Sequence, residues 1–358
     1  MERMSPEATR PPSAPPAMAE TAPLREQDRA EPMALPGASH RRRLLALGQQ
    51  YGALAALALL MLFNVAFTRD FLSQQTIYVN LTQVAPIVIV AVGMTLVIAT
   101  GGIDLSVGSL MAIAGAVAPL IFLSESGFLS SDAVAMPLVF VAPVLAAGAF
   151  GLFNGALVTR FGIQPIIATL VLFIAGRGIA QVLTGGELKA FKEPVFQYIG
   201  LGRPLGVPVQ VIVAAVLVAA AAYTLRRTVF GRHVLAIGGN EAAARLAGVA
   251  VNRVKLAVYG ISGICAGIAG LIAIAINSSA DANRVGLNLE LEAIAAVAVG
   301  GTPLTGGRAT IVGTLIGALI IQLLRFTLLS QGVSAEAALV VQAAIIIVAV
   351  AVQRGGSS

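Results

Sequence analysis

Gly101-Gly102-Ile103-Asp104-Leu105-Ser106-Val107-Gly108-Ser109 lies between two apolar runs, Leu81 to Thr100 and Leu110 to Phe122. A carboxylate, two hydroxyls and three glycines thus interrupt a sequence otherwise built to avoid water. In hydrocarbon, unsatisfied backbone groups cost several kcal/mol each, and ionisable side chains survive only against protein or a cavity. The stretch therefore predicts a helix broken inside a membrane, and it makes Asp104 a candidate functional residue.

The rest of the chain agrees with that setting. Hydrophobic residues make up 57% and charged residues 11%, against about 25% charged in a soluble domain. Mean hydropathy is +0.89. The apolar runs reach the roughly 20 residues that a spanning helix needs. The strand alternation of a membrane β-barrel is absent. The class is all-α and polytopic. The 38 glycines suit close helix packing in lipid, and Gly151/Gly155, Gly263/Gly267 and Gly313/Gly317 read as packing motifs.

About ten spans follow, each near the length a bilayer requires: 45–67, 81–100, 103–123, 134–158, 164–184, 207–225, 254–276, 289–300, 309–328 and 336–353. Residues 1–40 are rich in Pro, Ala and Glu without apolar periodicity and predict a disordered cytoplasmic tail. The transmembrane domain would occupy 41–356. Arg41-Arg42-Arg43 precedes a first span too long for a cleaved signal peptide, which predicts a retained helix. With that end inside, alternate loops carry Arg160, then Arg226, Arg227, Arg232, Arg245, Arg253 and Lys255, then Arg308, then Arg354. The intervening loops are mixed or acidic, which is the positive-inside pattern with both termini cytoplasmic. The net charge of +6 thus orients the chain in a bilayer and does not call for nucleic acid.

The eighth span is too short to cross. It ends in Gly300-Gly301-Thr302-Pro303-Leu304-Thr305-Gly306-Gly307-Arg308. Gly101-Gly102, Leu105-Ser106 and Gly108 align with Gly300-Gly301, Leu304-Thr305 and Gly307. Two broken or re-entrant helices near 101–108 and 300–307 are expected, and such interrupted segments are a sequence pointer to a transport path.

Candidate path residues are Asp104, Ser106, Ser109, Asn154, Gln164, Thr169, Arg177, Gln181 and Thr305. Each has a plainer alternative. Asp104 could cap the next helix. Ser106 and Ser109 could bond back to their own helix. Asn154 could bridge helices. Arg177, one helical turn before Gln181, could donate hydrogen bonds into a path or form an interhelical ion pair. Glu290 and Glu292 suit a helix N-terminus, and Arg325 can reach toward the interface. Cys265 lacks a partner and reads as a small core residue. His40 and His233 belong to no metal or nucleophile set, no metal site is expected, and GxxxxGK[ST] does not occur. The polar loop 226–255 contains Asn240-Glu241-Ala242-Ala243-Ala244-Arg245-Leu246-Ala247-Gly248, a short helix with Asn240 as N-cap and Gly248 as C-cap. It is either a connector or an element that docks into a partner.

These residues resemble the permease subunits of bacterial carbohydrate ABC importers of the ribose/galactose type. The resemblance is carried by Gly93-Met94-Thr95-Leu96-Val97-Ile98 through Gly108. It continues in Gly231-Arg232-His233, Ala236-Ile237-Gly238-Gly239-Asn240-Glu241-Ala242-Ala243 and Val251-Asn252-Arg253-Val254-Lys255. Glu290-Leu291-Glu292-Ala293-Ile294 with Gly300-Gly301 and Leu304-Thr305-Gly306-Gly307-Arg308 completes it. Gln164-Pro165 and Gly176-Arg177-Gly178 add to the match, and the Pro-rich tail lies outside it. The resemblance implies a bacterial inner-membrane protein that pairs with a second permease, identical or not. A cytoplasmic ABC ATPase would bind the ATP, so this chain needs no cofactor and is no enzyme. A periplasmic sugar-binding protein would deliver the substrate. It also implies that Asn240, Glu241, Ala242, Ala243, Arg245, Leu246 and Gly248 form the coupling helix, although Gly248 follows Glu241 by one residue more than the general importer loop has. Ile98 to Gly102 and Ala175 to Gln181 are most similar to galactofuranose-type permeases. The alternative function is an ion-coupled secondary sugar transporter.

Overall fold

The computed structural model describes residues 38–123 and 132–344, with side chains described over 52–123 and 135–344. The chain divides into units 1–43 and 44–358. Of the first, only the opening of helix α1 is described, so the disordered-tail expectation falls mostly outside the described residues. Its last part is overturned: Ala38 to His40 already belong to α1 (Ala38–Phe67).

The remaining helices are α2 (Gln74–Ala99), α3 (Val107–Phe122), α4 (Asp132–Arg160), α5 (Pro165–Thr184), α6 (Pro194–Leu201), α7 (Val209–Arg227), α8 (Val229–Gly239), α9 (Glu241–Leu246), α10 (Val251–Asn277), α11 (Leu289–Val299) and α12 (Ile311–Ser330). A last apolar helix, α13, covers Ala335–Ala344. Among the described residues, six helices are long and apolar enough to cross a membrane alone, and α3 and α13 are shorter apolar ones. Every expected span has a helix among the described residues, the last of them as far as Ala344, so the all-α polytopic class stands. The elements missed lie in loops: α6, the two-residue strand β1 (Lys189–Ala190) paired antiparallel with β2 (Ser279–Ala280), and α8. Their polar, Gly- and Pro-interrupted sequence hides short elements that only tertiary packing stabilises.

α2 and α10 form the centre. A helix apolar all round belongs in the interior, and α2 is buried continuously from Val84 to Ala99. α10 lies along α4, α2 and α3. The glycines make that approach possible. A Cβ on Gly151 would strike the Tyr259 carbonyl, and one on Gly263 would strike the Ala147 carbonyl. Gly313 and Gly317 admit α11 against α12 in the same way, facing Gly300 and Ala296. Cys265 is buried between α10 and Gly93 of α2. Side-chain hydrogen bonds then fix register between helices: Asn64 Nδ2 donates to Thr327 Oγ1 (2.6 Å), Thr95 and Thr314 hydroxyls bond (2.8 Å), and Gln322 Nε2 donates to Gln83 Oε1 (2.8 Å).

The basic loops gather at one end. Asn252 Nδ2 donates to the Thr159 carbonyl (3.2 Å), and the Gly307 N–H donates to the Ala99 carbonyl (3.1 Å), joining the ends of α2, α4 and α10 and the turn before α12. The opposite end carries β1, β2, α6 and the 281–288 loop.

Overfilling the α4–α10 seam should be the most disruptive single change in the bundle. Gly263→Leu is expected to destabilise by about 1–3 kcal/mol or more, whereas Gly52→Leu, at a position with open space, should be silent. Thermal unfolding in lipid nanodiscs distinguishes them.

Candidate functional site: two glycine-broken helices and their polar latch

α2 and α11 both end on the side of the basic loops, and both stop by the same backbone closure. At α2 the Gly101 N–H donates to Ile98 O (2.8 Å) and the Gly102 N–H to Val97 O (3.1 Å). At α11 the Gly301 N–H donates to Ala298 O (2.9 Å) and the Thr302 N–H to Val297 O (3.2 Å). This is the Schellman closure, whose pivotal residue is left-handed and therefore glycine. Gly101 has φ +78° and Gly301 has φ +84°. The structural equivalents are thus Gly101 and Gly301, one residue off the alignment of Gly101 with Gly300. Gly102 and Gly300 serve closeness instead. A Cβ on Gly102 would lie 2.6 Å from the Tyr259 hydroxyl, and one on Gly300 would enter the Gly313 backbone. Gly306 (φ +87°) and Gly307 (φ +80°) form the second turn of the α11–α12 connection. Gly108 is not part of a break. It lies in the first turn of α3, where its missing side chain leaves room for the Gly286 carbonyl and the Glu290 carboxylate.

The first break is latched by a buried carboxylate. Asp104 Oδ1 accepts from the Ser106 N–H (3.0 Å) and hydroxyl (2.6 Å), and Oδ2 accepts from the Ser262 hydroxyl of α10 (2.9 Å). Asn154 Nδ2 of α4 donates to Ser106 Oγ (2.8 Å). Asp104, Ser106, Asn154 and Ser262 are all buried. Asp104 bonds the Ser106 N–H, as a capping residue would, but Ser106 itself holds the N-cap position, without a side-chain cap. Ser109 spends its hydroxyl on the carbonyls of Ser106 (2.7 Å) and Leu172 (2.9 Å). Thr169 Oγ1 accepts from the Leu105 N–H (3.1 Å) and donates to Pro165 O (2.9 Å). The break is thereby tied to α4, α5 and α10. Chemically this is a carboxylate satisfied by three donors with no cation against it among the described residues. Ser262 and Tyr259 escaped the sequence reading. Their signal was present, as polar residues three apart on an otherwise apolar helix.

Arg177 and Gln181 share a face of α5 and meet the 281–285 loop. Arg177 Nη1 donates to the carbonyls of Ala282 (2.8 Å) and Val285 (2.6 Å), and Gln181 Nε2 donates to Asn283 Oδ1 (2.7 Å). The interhelical ion pair is not formed, because carbonyls take the guanidinium. Glu292 pairs with Arg325 instead (3.2 Å), so Arg325 does not merely extend to the interface. Gln164 and Thr305 are exposed at the basic end and stand apart from the Asp104 cluster. No group of His, Cys, Asp and Glu suited to a metal occurs among the described residues.

The loop 226–255 holds two helices where one was expected. Asn240 closes α8, donating its N–H to Ala236 O (3.0 Å), and opens α9, its Oδ1 accepting from the Ala243 N–H (3.0 Å). α9 ends on a further Schellman closure: the Gly248 N–H donates to Arg245 O (3.1 Å) and the Val249 N–H to Ala244 O (3.0 Å), with Gly248 at φ +82°. Glu241 is braced by Lys255 (2.6 Å) and Arg245 (3.1 Å). The hydrogen bond from Lys255 chiefly holds the Glu241 carboxyl below the usual carboxylate range. Leu246, at the tip, is 91% exposed.

The comparisons with known proteins bear on this architecture. Residues 76–350 match the family model described as "Branched-chain amino acid transport system / permease component". The chain belongs to this permease family. The permeases most like it include the ribose import permease RbsC of Escherichia coli K12, 44% identical over 307 residues, which are 84% of this chain and 92% of that protein. The galactofuranose transporter permease YtfT of the same strain is 42% identical over 76% of this chain and 78% of that protein. The fructose import permease FruF of Bifidobacterium longum is 38% identical over 83% and 85%. No solved structure matches. As a permease-family protein with membrane-length helices, the chain is a multi-pass inner-membrane transport component rather than an enzyme.

Two outcomes test the geometry. Asp104→Asn keeps an acceptor for Ser106, and Ser262 can turn to accept. It should therefore unfold within about 1 kcal/mol of wild type, whereas Asp104→Ala strands buried donors at roughly 1–3 kcal/mol each; thermal unfolding in nanodiscs reads both. Glu241, lowered in the folded chain, contributes stability above its unfolded value of about 4.3 and loses it as pH falls through the folded value. A nitroxide on Ala242→Cys should keep constant mobility from neutral pH to about 5 and loosen below about 4; Lys255→Gln should weaken that transition.

Proposed function

We propose that this chain is the membrane-embedded subunit of an ATP-driven monosaccharide importer in a bacterial inner membrane, with its basic end and both termini cytoplasmic. The observation that carries the reading is α9. It is capped at both ends, braced by Lys255 and Arg245, and stands off the bundle with Leu246 bare at its tip. An alanine-rich helix this short is marginal alone, so its fixed geometry fits docking into another protein, here a cytoplasmic ATPase that binds and hydrolyses the ATP. A second permease, of this chain or a related one, and a periplasmic sugar-binding protein complete the assembly.

The family's description names branched-chain amino acids, whereas the relatives named above are sugar permeases. We favour a sugar. A polyol is matched by neutral donors and acceptors, and Gln181 and Asn283 supply these at the end away from the basic loops. Arg177, spent on carbonyls, would shape that mouth. Gln164 and Thr305 would lie at the cytoplasmic mouth. Asp104, Ser106, Ser109, Asn154 and Thr169 would hold the wall of the path rather than touch the sugar, since all are buried and bond one another or the adjoining backbone, with Asn154 Oδ1 left unpaired.

The test is uptake into cells expressing the intact system, with labelled ribose, galactose, arabinose, fructose and leucine. Uptake of a sugar that fails on ATP depletion but survives an uncoupler is expected. Leucine uptake, or collapse with the uncoupler alone, would overturn the reading. Glu241→Arg should lower uptake at least about tenfold, the effect of losing about 1.4 kcal/mol of coupling, while Asp104→Asn retains it.

A further inference from the structure

The glycine pair at the end of α8, Gly238-Gly239, is not used by α9 docking itself. It lies where the two broken helices meet. The Gly307 N–H donates to the Ala99 carbonyl (3.1 Å). This single bond joins the turn after α2 to the turn before α12. A Cβ on Gly306 would come within 2.7 Å of the Gly101 nitrogen, so the two turns are in backbone contact beside that bond. α8 rests on the same spot. A Cβ on Gly238 would collide with both the Ala99 oxygen and the Gly307 nitrogen, the two atoms of the bond, while a Cβ on Gly307 would come within 3.0 Å of Gly239 Cα. A Cβ on Gly239 would meet nothing within 4 Å.

On the face it shares with Gly238, α8 is anchored by buried Val234, one turn earlier, and by the adjacent Ile237. Asn240 is shared between α8 and α9 as C-cap of one and N-cap of the other, so little chain slack separates the two helices.

We propose that Gly238 is a positioning residue that seats α8 directly on the Ala99–Gly307 hydrogen bond, so that a displacement of α9 is imposed on both glycine-broken turns together. This rests on the reading of α9 as the ATPase-docking element. α8 is the lever and the Ala99–Gly307 bond its bearing point. Because the contact is backbone to backbone, no rotamer can absorb the motion, and only glycine allows the approach.

Hydrogen exchange on the purified full chain in nanodiscs tests the seat without any partner. In wild type, segments 97–102, 234–240 and 303–309 should lose protection as one opening unit as denaturant rises. Gly238→Ala should speed exchange in both 97–102 and 303–309 by about tenfold or more, whereas Gly239→Ala, with the same gain in helix propensity, should leave both unchanged. Independent opening of the three segments in wild type, or Gly238→Ala acting like Gly239→Ala, overturns the proposal. In the transporter assembled with its ATPase, Gly238→Ala should hydrolyse ATP but lose most of its uptake, with Gly239→Ala close to wild type; equal uptake in the two variants counts against the lever. If wild type shows no ATP-dependent uptake of any sugar, the functional reading fails, while the exchange result still decides whether α8 is seated on the bond.

Discussion

Backbone that stops being helical inside a membrane must find its hydrogen-bond partners within the protein. The structure is organised around that constraint. α2 and α11 end beside the basic loops, and each closes its last turn with a left-handed glycine, Gly101 or Gly301. The groups still open after those closures are taken up nearby. The Ala99 carbonyl accepts from Gly307, Thr302 Oγ1 accepts from the Thr310 N–H (3.1 Å), and the Thr310 hydroxyl donates to Gly300 O (2.9 Å). Asp104 serves the first break by taking three donors from two elements. A buried charge is costly where it is bare, but three good hydrogen bonds make it a latch.

That constraint explains why α2 and α10 are central. Broken helices can be satisfied only if intact ones enclose them, and enclosure requires close approach. Gly151, Gly155, Gly263 and Gly267 bring α4 against α10 at backbone distance. In lipid the gain from such contact is dispersion and packing rather than escape from water. The result is a closely packed centre, with the polar elements α8–α9 and the 281–288 loop at opposite ends. An alternating-access device needs such a division, in which rigid bodies move about a few defined backbone points.

Much of this was legible along the chain. Long apolar runs at spanning length placed the helices, because hydropathy is a local sum that lipid reads directly. Both breaks were marked by glycine pairs, and the caps of α9 were marked by Asn240 and Gly248, since capping is settled within one turn. The misses share a cause. The shift from Gly300 to Gly301 as the partner of Gly101 depends on which carbonyls each N–H reaches. Gly108 resembles a break residue but is a packing residue, because what it makes room for, Gly286 and Glu290, lies far along the chain. α8 was hidden because its stability comes from Val234 and Ile237 buried in the bundle.

By itself the sequence determined the membrane setting, the all-α class, the long apolar helices, the basic end and the two breaks, all of which follow from composition and short-range patterning. Only the tertiary structure decided what the polar residues do. Arg177 could have met a carboxylate and met the carbonyls of Ala282 and Val285. Asp104 could have faced a path and faced Ser262 instead. Gly238 gave no sign along the chain of lying over the Ala99–Gly307 bond. Hydrogen-bonding capacity belongs to a residue, but its partner is chosen by which helices glycine allows to approach, and that is settled only when the bundle closes.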